Sequence, residues 1–247
     1  MTTRVAVIGA GGRMGRAACA AVEAADDLDL VARVGRGDDL QAVVDAGADV
    51  AVELSVPDAS PGNVAFCVSH GVHAVVGTTG WDDERLASLG SSLEGTDVGV
   101  LIAPNFAVGA VLAMRFAAAA APYFESVEIV ELHHPDKVDA PSGTARRTAQ
   151  LVAASRRAAG LAAPPDATET SLAGARGAEV SGVRVHSVRL RGLVAHEEVL
   201  LGGVGEQLTI RHDSFDRESF MPGVLLGVRT VASRPGVTVG LEHYLDL

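Results

Sequence analysis

The chain has 247 residues, 48% of them hydrophobic and 21% charged, which is typical of a globular protein with a buried core and argues against a disordered or fibrous chain. Lys and Arg total 20 against 31 Asp and Glu, and the formal net charge is −11. Such a charge repels phosphate backbones, so nucleic acid is not expected as a partner.

The cysteines and the apolar runs bear on the compartment. Cys19 and Cys67 stand far apart without a CxxC pattern, which argues against a zinc site or a disulfide framework. No stretch approaches the roughly 18 apolar residues that a membrane span needs, and the N-terminal apolar run is too short for a secretory signal. We therefore expect a cytoplasmic protein without a membrane partner.

The first part of the chain alternates predicted strands and helices. Apolar runs predict strands at residues 5–8, 48–55, 73–79 and 98–104, and alternation of apolar with other residues predicts a strand at 28–34. Helical spacing of apolar residues predicts helices at residues 14–25, 38–46, 58–70 and 82–93. This alternation implies right-handed crossovers and an α/β fold, a doubly wound parallel-sheet (Rossmann) domain with helices on both faces.

The pattern changes after Asn105. A helix is predicted at residues 108–121, then the strand SVEIVELHH, a second helix, a long loop at 161–177, and successive strands within 182–210. These elements predict an α+β domain with an open mixed sheet. We assign residues 1–105 to a dinucleotide-binding domain and 106–216 to a substrate-binding and oligomerisation domain, with the helical C-terminal segment 217–247 packing back on the first.

Glycines follow the first strand in the spacing G-x-x-G-x-x-G. They are Gly9, Gly12 and Gly15, with Gly11 in addition. Without Cβ atoms the backbone can approach a pyrophosphate, whose charge meets the free N–H groups and the positive dipole of the helix N-terminus. The alternative is that these glycines only allow tight packing of the strand on the helix. The strand before them and the helix after them favour a dinucleotide.

The end of the second strand bears on the choice of dinucleotide. An acid usually stands there to accept the ribose hydroxyl of NAD, whereas here Gly35 occupies the position between Arg33 and Arg36. A guanidinium suits the 2′-phosphate of NADP, and Arg13 could reach the same phosphate. We expect NADPH as the preferred cofactor. The alternative is that the arginines are solvated and Asp38 or Asp39 holds the ribose, which leaves NADH possible.

The stretch HHPDKVDAPSGTA crowds titratable groups around a helix start. Ser142, Gly143 and Thr144 begin the second predicted helix, where backbone N–H groups and hydroxyls form a site for a carboxylate. Lys137 adds a counter-charge for the same anion. The alternative for Ser142 is an ordinary N-cap.

Two adjacent histidines end the strand before this helix. The side chains of His133 and His134 point to opposite faces, so one can be a general acid while the other holds the substrate. A metal is not expected, because adjacent strand residues diverge and no third ligand is evident. A hydride donor, a proton donor and an anion site together indicate reduction of an unsaturated carboxylic acid.

Five segments of the sequence resemble the 4-hydroxy-tetrahydrodipicolinate reductase family nearly end to end. They are VAVIGAGGRMGR, VVGTTG, APNFAVGAVL, ELHHPDKVDAPSGTA and GLVAHEEVLLGGVGEQLTIRHDS. The resemblance implies hydride transfer from NADPH or NADH to C4 of a cyclic dicarboxylate, after or with loss of the 4-hydroxyl as water, in diaminopimelate and L-lysine biosynthesis. It also implies a homotetramer built through the second-domain sheets.

The resemblance further implies roles for individual residues. His133 matches the proton donor, and Lys137 a second donor that also holds substrate. Substrate-binding positions are matched by His134, Gly143 and Thr144, with Ser142 beside them. Cofactor-binding positions are matched by Gly9, Ala10, Gly11, Gly12, Arg13, Met14, Arg36, Gly77, Thr78, Thr79, Ala103, Pro104, Asn105 and Phe106.

The sequence also departs from the family pattern. Many members carry an acid where Gly35 stands, and the segment ELSVPD at 53–58 places Leu54 where the family has an aromatic residue near the cofactor. Two alternatives stay open. One is another NADPH-linked dehydrogenase acting on an amino or keto acid, and the other is a cofactor-sensing module without catalysis.

Overall fold

The structure, a computed structural model, describes residues 2–245. The chain divides into two compact units, of which the first comprises Met1–Val108 and Arg217–Leu247 and the second Gly109–Asp216. The predicted domain segments also include Met1, Asp246 and Leu247, which lie outside the described residues.

The described part of the chain contains eleven strands and seven α-helices. The strands are β1 Thr3–Ile8, β2 Leu28–Val34, β3 Val50–Glu53, β4 His73–Val76, β5 Gly99–Ile102, β6 Ser126–His133, β7 Ala178–Val180, β8 Val183–Arg189, β9 Ala195–Gly203, β10 Glu206–Ser214 and β11 Gly236–Val239. The helices are α1 Arg13–Glu23, α2 Gln41–Asp45, α3 Ser60–Ser69, α4 Asp83–Leu93, α5 Val108–Ala120, α6 Gly143–Ala158 and α7 Met221–Thr230. Short 3-10 helices occupy Ala121–Tyr123, Arg217–Phe220, Val231–Ser233 and Leu241–Tyr244.

A parallel sheet forms the centre of the first unit. Its strand order is β11-β5-β4-β3-β1-β2, and every neighbouring pair is parallel. The chain moves one way from β1 to β2 and the other way from β3 to β5, so the loops after β1 and β3 flank the switch point where ligands of such sheets bind. The predicted doubly wound fold is confirmed.

The two faces of this sheet bury alternate residues of each strand. Helices α3 and α4 pack on Ala74, Val76 and Val100, whereas α7 approaches the opposite face, where Gly227 lies against Val75 and Leu101. The sheet has a sixth strand, β11, that the sequence pattern did not predict. This strand is short and lies at the sheet edge beside β5. Pro235, directly before it, interrupts the apolar sequence pattern.

A mixed five-stranded sheet forms the second unit, in the order β10-β9-β6-β8-β7. Strands β6 and β8 are parallel and the other pairs are antiparallel, which confirms the predicted mixed sheet. Helix α6 packs on one face, where Val127 and Ile129 of β6 meet Ala149 and Val152. Because side chains alternate along a strand, Glu131 continues this buried face.

Among the helices within residues 2–245, none has both the length and the apolar character needed to cross a lipid bilayer. The segment at 161–177 contains neither helix nor strand, as the sequence predicted.

Candidate active site

The glycine loop after β1 depends on close backbone contacts. Gly9 has a φ of +83°, and a Cβ atom there would lie 2.5 Å from the carbonyl oxygen of Leu54. At Gly15 a Cβ atom would lie 2.1 Å from the carbonyl oxygen of Gly9. Gly11 faces open space. Gly9 and Gly15 therefore serve packing, whereas Gly11 leaves room for a ligand.

The N-terminus of α1 has no capping side chain, since its N-cap residue is Gly12. Helices α4 and α6, in contrast, are capped by the side chains of Asp82 and Ser142. Uncapped N–H groups at a helix start attract an anion, and the first turn of α1 carries no acid that would oppose one. This helix start fits a pyrophosphate.

A cavity of about 710 Å³ lies beside this helix start, at the ends of β1, β2 and β3. Of the predicted cofactor residues, those that line it are Gly9, Gly11, Gly12 and Arg36. Those outside its lining are Ala10, Arg13, Met14, Gly77, Thr78, Thr79, Ala103, Pro104, Asn105 and Phe106. Its size and its position at the switch point fit part of a dinucleotide.

Both signs of charge reach the cavity at the end of β2. The backbone N–H of Gly35 donates to Asp38 Oδ2 at 2.7 Å, so this carboxylate lies close to the position where many dinucleotide sites carry an acid. Arg36 and Asp38 both line the cavity, whereas Arg33 forms an ion pair with Glu23 outside its lining. The structure thus offers an acceptor for a ribose and a cation for a phosphate.

A buried carboxylate, missed by the sequence analysis, supports the loop after β3. Glu53 is 1% exposed, its Oε2 accepts from Ser60 Oγ at 2.6 Å, and its Oε1 accepts from Asn63 Nδ2 at 3.1 Å. The hydroxyl of Ser55 donates to the same Oε1. Since Ser55 and Asn63 line the cavity, Glu53 fixes part of its wall. The sequence signal was an acid ending an apolar strand.

The loops after β4 and β5 meet beside this wall. A Cβ atom at Gly77 would lie 2.7 Å from both a methyl carbon of Leu54 and a ring carbon of Phe106. Within the described residues the buried polar atoms Thr78 Oγ1 and Trp81 Nε1 have no hydrogen-bond partner. Orphaned polar atoms beside a glycine with no room for a side chain fit a bound polar ligand.

In the second unit, His133 is held by a carboxylate on the same strand. Its Nδ1 lies 2.5 Å from Oε2 of Glu131, whose side chain has no exposed surface. Arg189 of β8 donates to both oxygens of Glu131 at 2.8 Å, and the N–H of Ser142 donates to Oε1 at 3.2 Å. One carboxylate therefore joins the histidine to the start of α6.

The protonation of Glu131 decides which histidine nitrogen donates. Burial raises the pKa of Glu131, but hydrogen bonds from His133, Arg189 and Ser187 outweigh burial and lower the pKa to about 2. Glu131 is thus an ionised acceptor at neutral pH, and Nδ1 of His133 carries the proton in their hydrogen bond. Nε2 is therefore the ring nitrogen that does not face Glu131.

Lys137 and the start of α6 both donate to the carboxylate of Asp139, on the loop between β6 and α6. Lys137 Nζ donates to Asp139 Oδ1 at 2.6 Å, and the backbone N–H of Gly143 also donates to Asp139. Burial raises the pKa of Asp139, but these bonds, led by that of Lys137, outweigh burial and lower the pKa. Two predicted anion-binding groups are thus brought together around a carboxylate.

The other predicted substrate residues lie along the same segment. Ser142 is 2% exposed and its Oγ accepts from the N–H of Ala145 at 3.2 Å, so the hydroxyl acts as the N-cap of α6. His134 and Thr144 are half-buried, and the carbonyl of His134 accepts from the N–H of Lys137 at 3.3 Å.

The sequence analysis did not identify Glu131, Asp139, Arg189 or the buried Glu197 as site residues. A signal existed for Glu131, which follows Val127 and Ile129 at the strand period of two and is therefore a charge at a core position. Within residues 2–245, no group of three or more His, Cys, Asp or Glu side chains is placed to hold a metal ion.

Family models and relatives cover both units. Residues 3–106 match the model described as "Dihydrodipicolinate reductase, N-terminus", and residues 109–245 match "Dihydrodipicolinate reductase, C-terminus". The chain is 66% identical over 245 residues to 4-hydroxy-tetrahydrodipicolinate reductase of Streptomyces avermitilis, covering 99% of this chain and 98% of that protein. It is 62% identical to the reductase of Nocardia farcinica over 248 residues, covering all of both chains.

A solved structure is also similar. It is a dipicolinate-bound dihydrodipicolinate reductase from Paenisporosarcina sp. TG-14, with a TM-score of 0.87 and 38% identity, and the match covers 99% of this chain and 100% of that one. Sequence and fold thus agree over nearly the whole length with the resemblance predicted from the motifs. The chain belongs to the dihydrodipicolinate reductase family.

Proposed function

We propose that this chain catalyses the NAD(P)H-dependent reduction of 4-hydroxy-tetrahydrodipicolinate to tetrahydrodipicolinate, a step of diaminopimelate and L-lysine biosynthesis. The relatives at 62% to 66% identity carry the name of this reductase, and the solved neighbour holds dipicolinate, a cyclic dicarboxylate. The structural observation that carries the proposal is the position of Asp139, whose carboxylate contacts both Lys137 and the start of α6.

Lys137 and Gly143 bind a substrate carboxylate in this proposal. Their contacts with Asp139 support it, because both groups already donate hydrogen bonds to a carboxylate. Lys137 is also the only lysine of the 247 residues, all other basic side chains except histidine being arginine. A compact ammonium suits one carboxylate oxygen and can itself give a proton, which a guanidinium does not do. His134 and Thr144 complete the substrate contacts.

His133 gives the proton in this proposal. A reduced nicotinamide bound to the first unit supplies the hydride that adds to C4 of the ring, after or with loss of the 4-hydroxyl as water. The resulting enamine takes one proton, which completes reduction of the double bond, and Nε2 of His133 delivers it. Glu131 fixes the ring and stabilises its protonated form, because an ionised carboxylate beside Nδ1 favours positive charge there.

We further propose that NADPH is preferred over NADH. Arg36 lines the cavity of the first unit and offers a planar set of donors to the 2′-phosphate. Asp38, which lines the same cavity, would oppose that phosphate and favours a ribose diol. The preference therefore depends on how far Arg36 offsets the Asp38 charge.

Assembly as a homotetramer and a cytoplasmic location stay predictions. Support for assembly comes from β10, an edge strand in the described sheet that carries the exposed Leu208, and from the turn before it, which carries the exposed Val204. Light scattering on the protein as it elutes from a size-exclusion column measures the mass of the assembly directly.

The proposed reaction is tested with substrate generated enzymatically in the assay, with NADPH and NADH oxidation followed by absorbance and tetrahydrodipicolinate identified by mass. We expect turnover in the wild type and at least about a hundred-fold lower kcat in His133→Gln, which is the usual contribution of a general acid. Lys137→Ala should raise KM and lower kcat, whereas Lys137→Arg, which keeps the charge, should restore KM more than kcat.

His70→Gln is the matched control for His133→Gln, because His70 lies on the surface at the end of α3. Its kcat should equal that of the wild type. Oxidation of NADPH with a keto acid, or reduction of NADP+ with an amino acid, without NADPH oxidation by 4-hydroxy-tetrahydrodipicolinate, would contradict the proposed function. Near-normal kcat in His133→Gln would remove His133 from the mechanism.

A further inference from the structure

A second buried carboxyl group lies next to Glu131. Glu197 on β9 is directly opposite Glu131 on β6 and is 7% exposed. Its Oε1 lies 2.6 Å from Oγ1 of Thr148 on α6, and its Oε2 has no hydrogen-bond partner within the part of the chain that the structure describes. An ionised carboxylate with one bare oxygen and one hydroxyl contact is poorly compensated for burial.

The hydrogen-bond protons around Thr148 indicate which form of Glu197 the site holds. The Thr148 hydroxyl has a single proton but lies 2.6 Å from Glu197 Oε1 and 3.1 Å from the carbonyl oxygen of Thr144. If Glu197 is ionised, that proton serves only one of these two contacts, and the charge at Oε2 stays buried without a hydrogen bond from the described residues. If Glu197 carries a proton on Oε1, it donates to Thr148 Oγ1, and Thr148 donates to Thr144. The protonated form uses both contacts of the Thr148 hydroxyl and leaves no buried charge at Oε2.

The groups that face Glu197 agree with this assignment. Burial raises the pKa of Glu197, the Thr148 hydroxyl lowers it and the Glu131 charge raises it again, with a result of about 7. The charge of Arg189, from β8, is engaged by both oxygens of Glu131. His212, opposite Glu197 on β10, has a pKa lowered by burial, so it supplies no positive charge at neutral pH.

We propose that Glu197 is a positioning residue that works as a neutral carboxylic acid, holding the first turn of α6 through Thr148 and Thr144 for a substrate carboxylate, and that its ionisation weakens this binding. The inference rests on the proposed function for the nature of the ligand. A neutral Glu197 explains how a third acidic residue, after Glu131 and Asp139, can lie close to an anion-binding site.

The distance sets the size of the effect. One hydrogen bond of 2.6 Å, one helical turn of about 5.4 Å and one contact of about 3 Å separate the Glu197 carboxyl from an anion at the start of α6, at most about 11 Å in all. A like charge at that distance, with an effective dielectric constant of about 20, weakens anion binding roughly ten-fold.

Calorimetric titration with dipicolinate, from about pH 6 to about pH 9, tests the proposal, because both carboxyls of this ligand are ionised throughout that range. Wild type should lose affinity roughly ten-fold more than Glu197→Gln as the pH rises through about 7, since glutamine cannot ionise. Glu198→Gln is the matched control, because its side chain lies on the other face of β9, near Arg211. Its pH dependence should follow that of the wild type.

A readout independent of ligand comes from carbon-13 NMR of the glutamate carboxyls, with the Glu197 signal assigned by its absence from Glu197→Gln. Titration of that signal near pH 7 supports the proposal, whereas titration near the ordinary value of about 4.5 overturns it. Equal pH dependence of dipicolinate binding in wild type and Glu197→Gln also overturns it. Failure of all three proteins to bind dipicolinate, with the NMR titration still near pH 7, contradicts the proposed function and not the protonation of Glu197.

Discussion

Replacement of Glu131 by glutamine is expected to move the pH profile of catalysis as well as its rate. Glu131 accepts from His133 Nδ1 at 2.5 Å and is ionised at neutral pH, so in the proposed mechanism its negative charge assists proton delivery by His133. Glutamine keeps the shape but not the charge. Without that charge, proton delivery in the proposed mechanism should fail at a lower pH, so the basic limb of the kcat profile should shift to lower pH.

The contacts of Glu131 set the size of the shift. A hydrogen bond to a charged group contributes about 1.5–3 kcal/mol, and each 1.36 kcal/mol corresponds to about one pH unit. Because Arg189 engages both oxygens at 2.8 Å, its charge offsets part of the carboxylate field, and we take the lower end of that range. The basic limb should move by about one pH unit, and kcat above it should fall about ten-fold.

The assay measures kcat at saturating substrate from about pH 6 to about pH 9 for wild type, Glu131→Gln and Glu128→Gln. Glu128 is the matched control, since it lies on the same strand but on the other face, paired with Arg176 and His186. Glu131→Gln also leaves Arg189 without a carboxylate, which costs about 3 kcal/mol of stability, so the melting temperature is recorded for each variant.

Glu131→Asp separates charge from geometry. It keeps the negative charge and shortens the reach to His133, so the basic limb should stay near that of the wild type while kcat falls. A uniform loss of kcat in Glu131→Gln, with its basic limb unmoved, would refute the reasoning and leave Glu131 a purely structural role.

Three further predictions concern the cofactor loop and acid stability. Arg36→Ala should raise KM for NADPH at least about ten-fold with little change for NADH, because in our proposal the guanidinium binds only the 2′-phosphate. Arg33→Ala, which removes a side chain paired with Glu23, should change neither KM, and steady-state kinetics with each cofactor measure both variants. Gly15→Ala should lower the melting temperature and weaken NADPH binding measured by fluorescence, because its Cβ would lie 2.1 Å from the Gly9 carbonyl oxygen, whereas Gly11→Ala, which meets open space, should leave the melting temperature unchanged. Since folding lowers the pKa of Glu131 from 4.5 to about 2, its contribution is present above about pH 4.5 and is lost as the pH falls toward 2. Chemical unfolding across this range should therefore show an acid loss of about 3 kcal/mol that Glu131→Gln lacks.

The sequence was sufficient to predict the elements whose residues are buried on a regular period. The apolar runs of β1 and β2 and the helical spacing in α1 predicted those elements to within a few residues. The strand predicted at 98–104 is shorter in the structure, Gly99–Ile102, because an apolar pattern does not show where pairing with a neighbour ends. Strand β11 was missed because four residues bracketed by Gly236 and Gly240, both with positive φ, give too short a pattern.

The candidate site was predictable only where its residues are neighbours in sequence. His133, Lys137 and Gly143 lie within one motif, and the chemistry of each was read from residue type and position. Arg189 is 58 positions from Glu131, and Glu197 is 49 positions from Thr148. Such pairs depend on which strands become neighbours in the sheet, and a single sequence does not contain that information.

The carboxyl groups at the start of α6 show how an anion site can form among acids. Glu131 is ionised and balanced by Arg189, Asp139 is ionised and paired with Lys137, and Glu197 is neutral in our proposal because a proton takes the place of a cation. If all three were ionised without compensation, a dicarboxylate would meet three like charges near its binding site, and each would weaken its binding. Compensation removes that barrier. Of the two ion pairs, that of Lys137 has its carboxylate on a loop, and Lys137 is the cation that binds the substrate in our proposal. Exchange of Asp139 for the substrate carboxylate at Lys137 would therefore cost little electrostatic energy, since one ion pair replaces another.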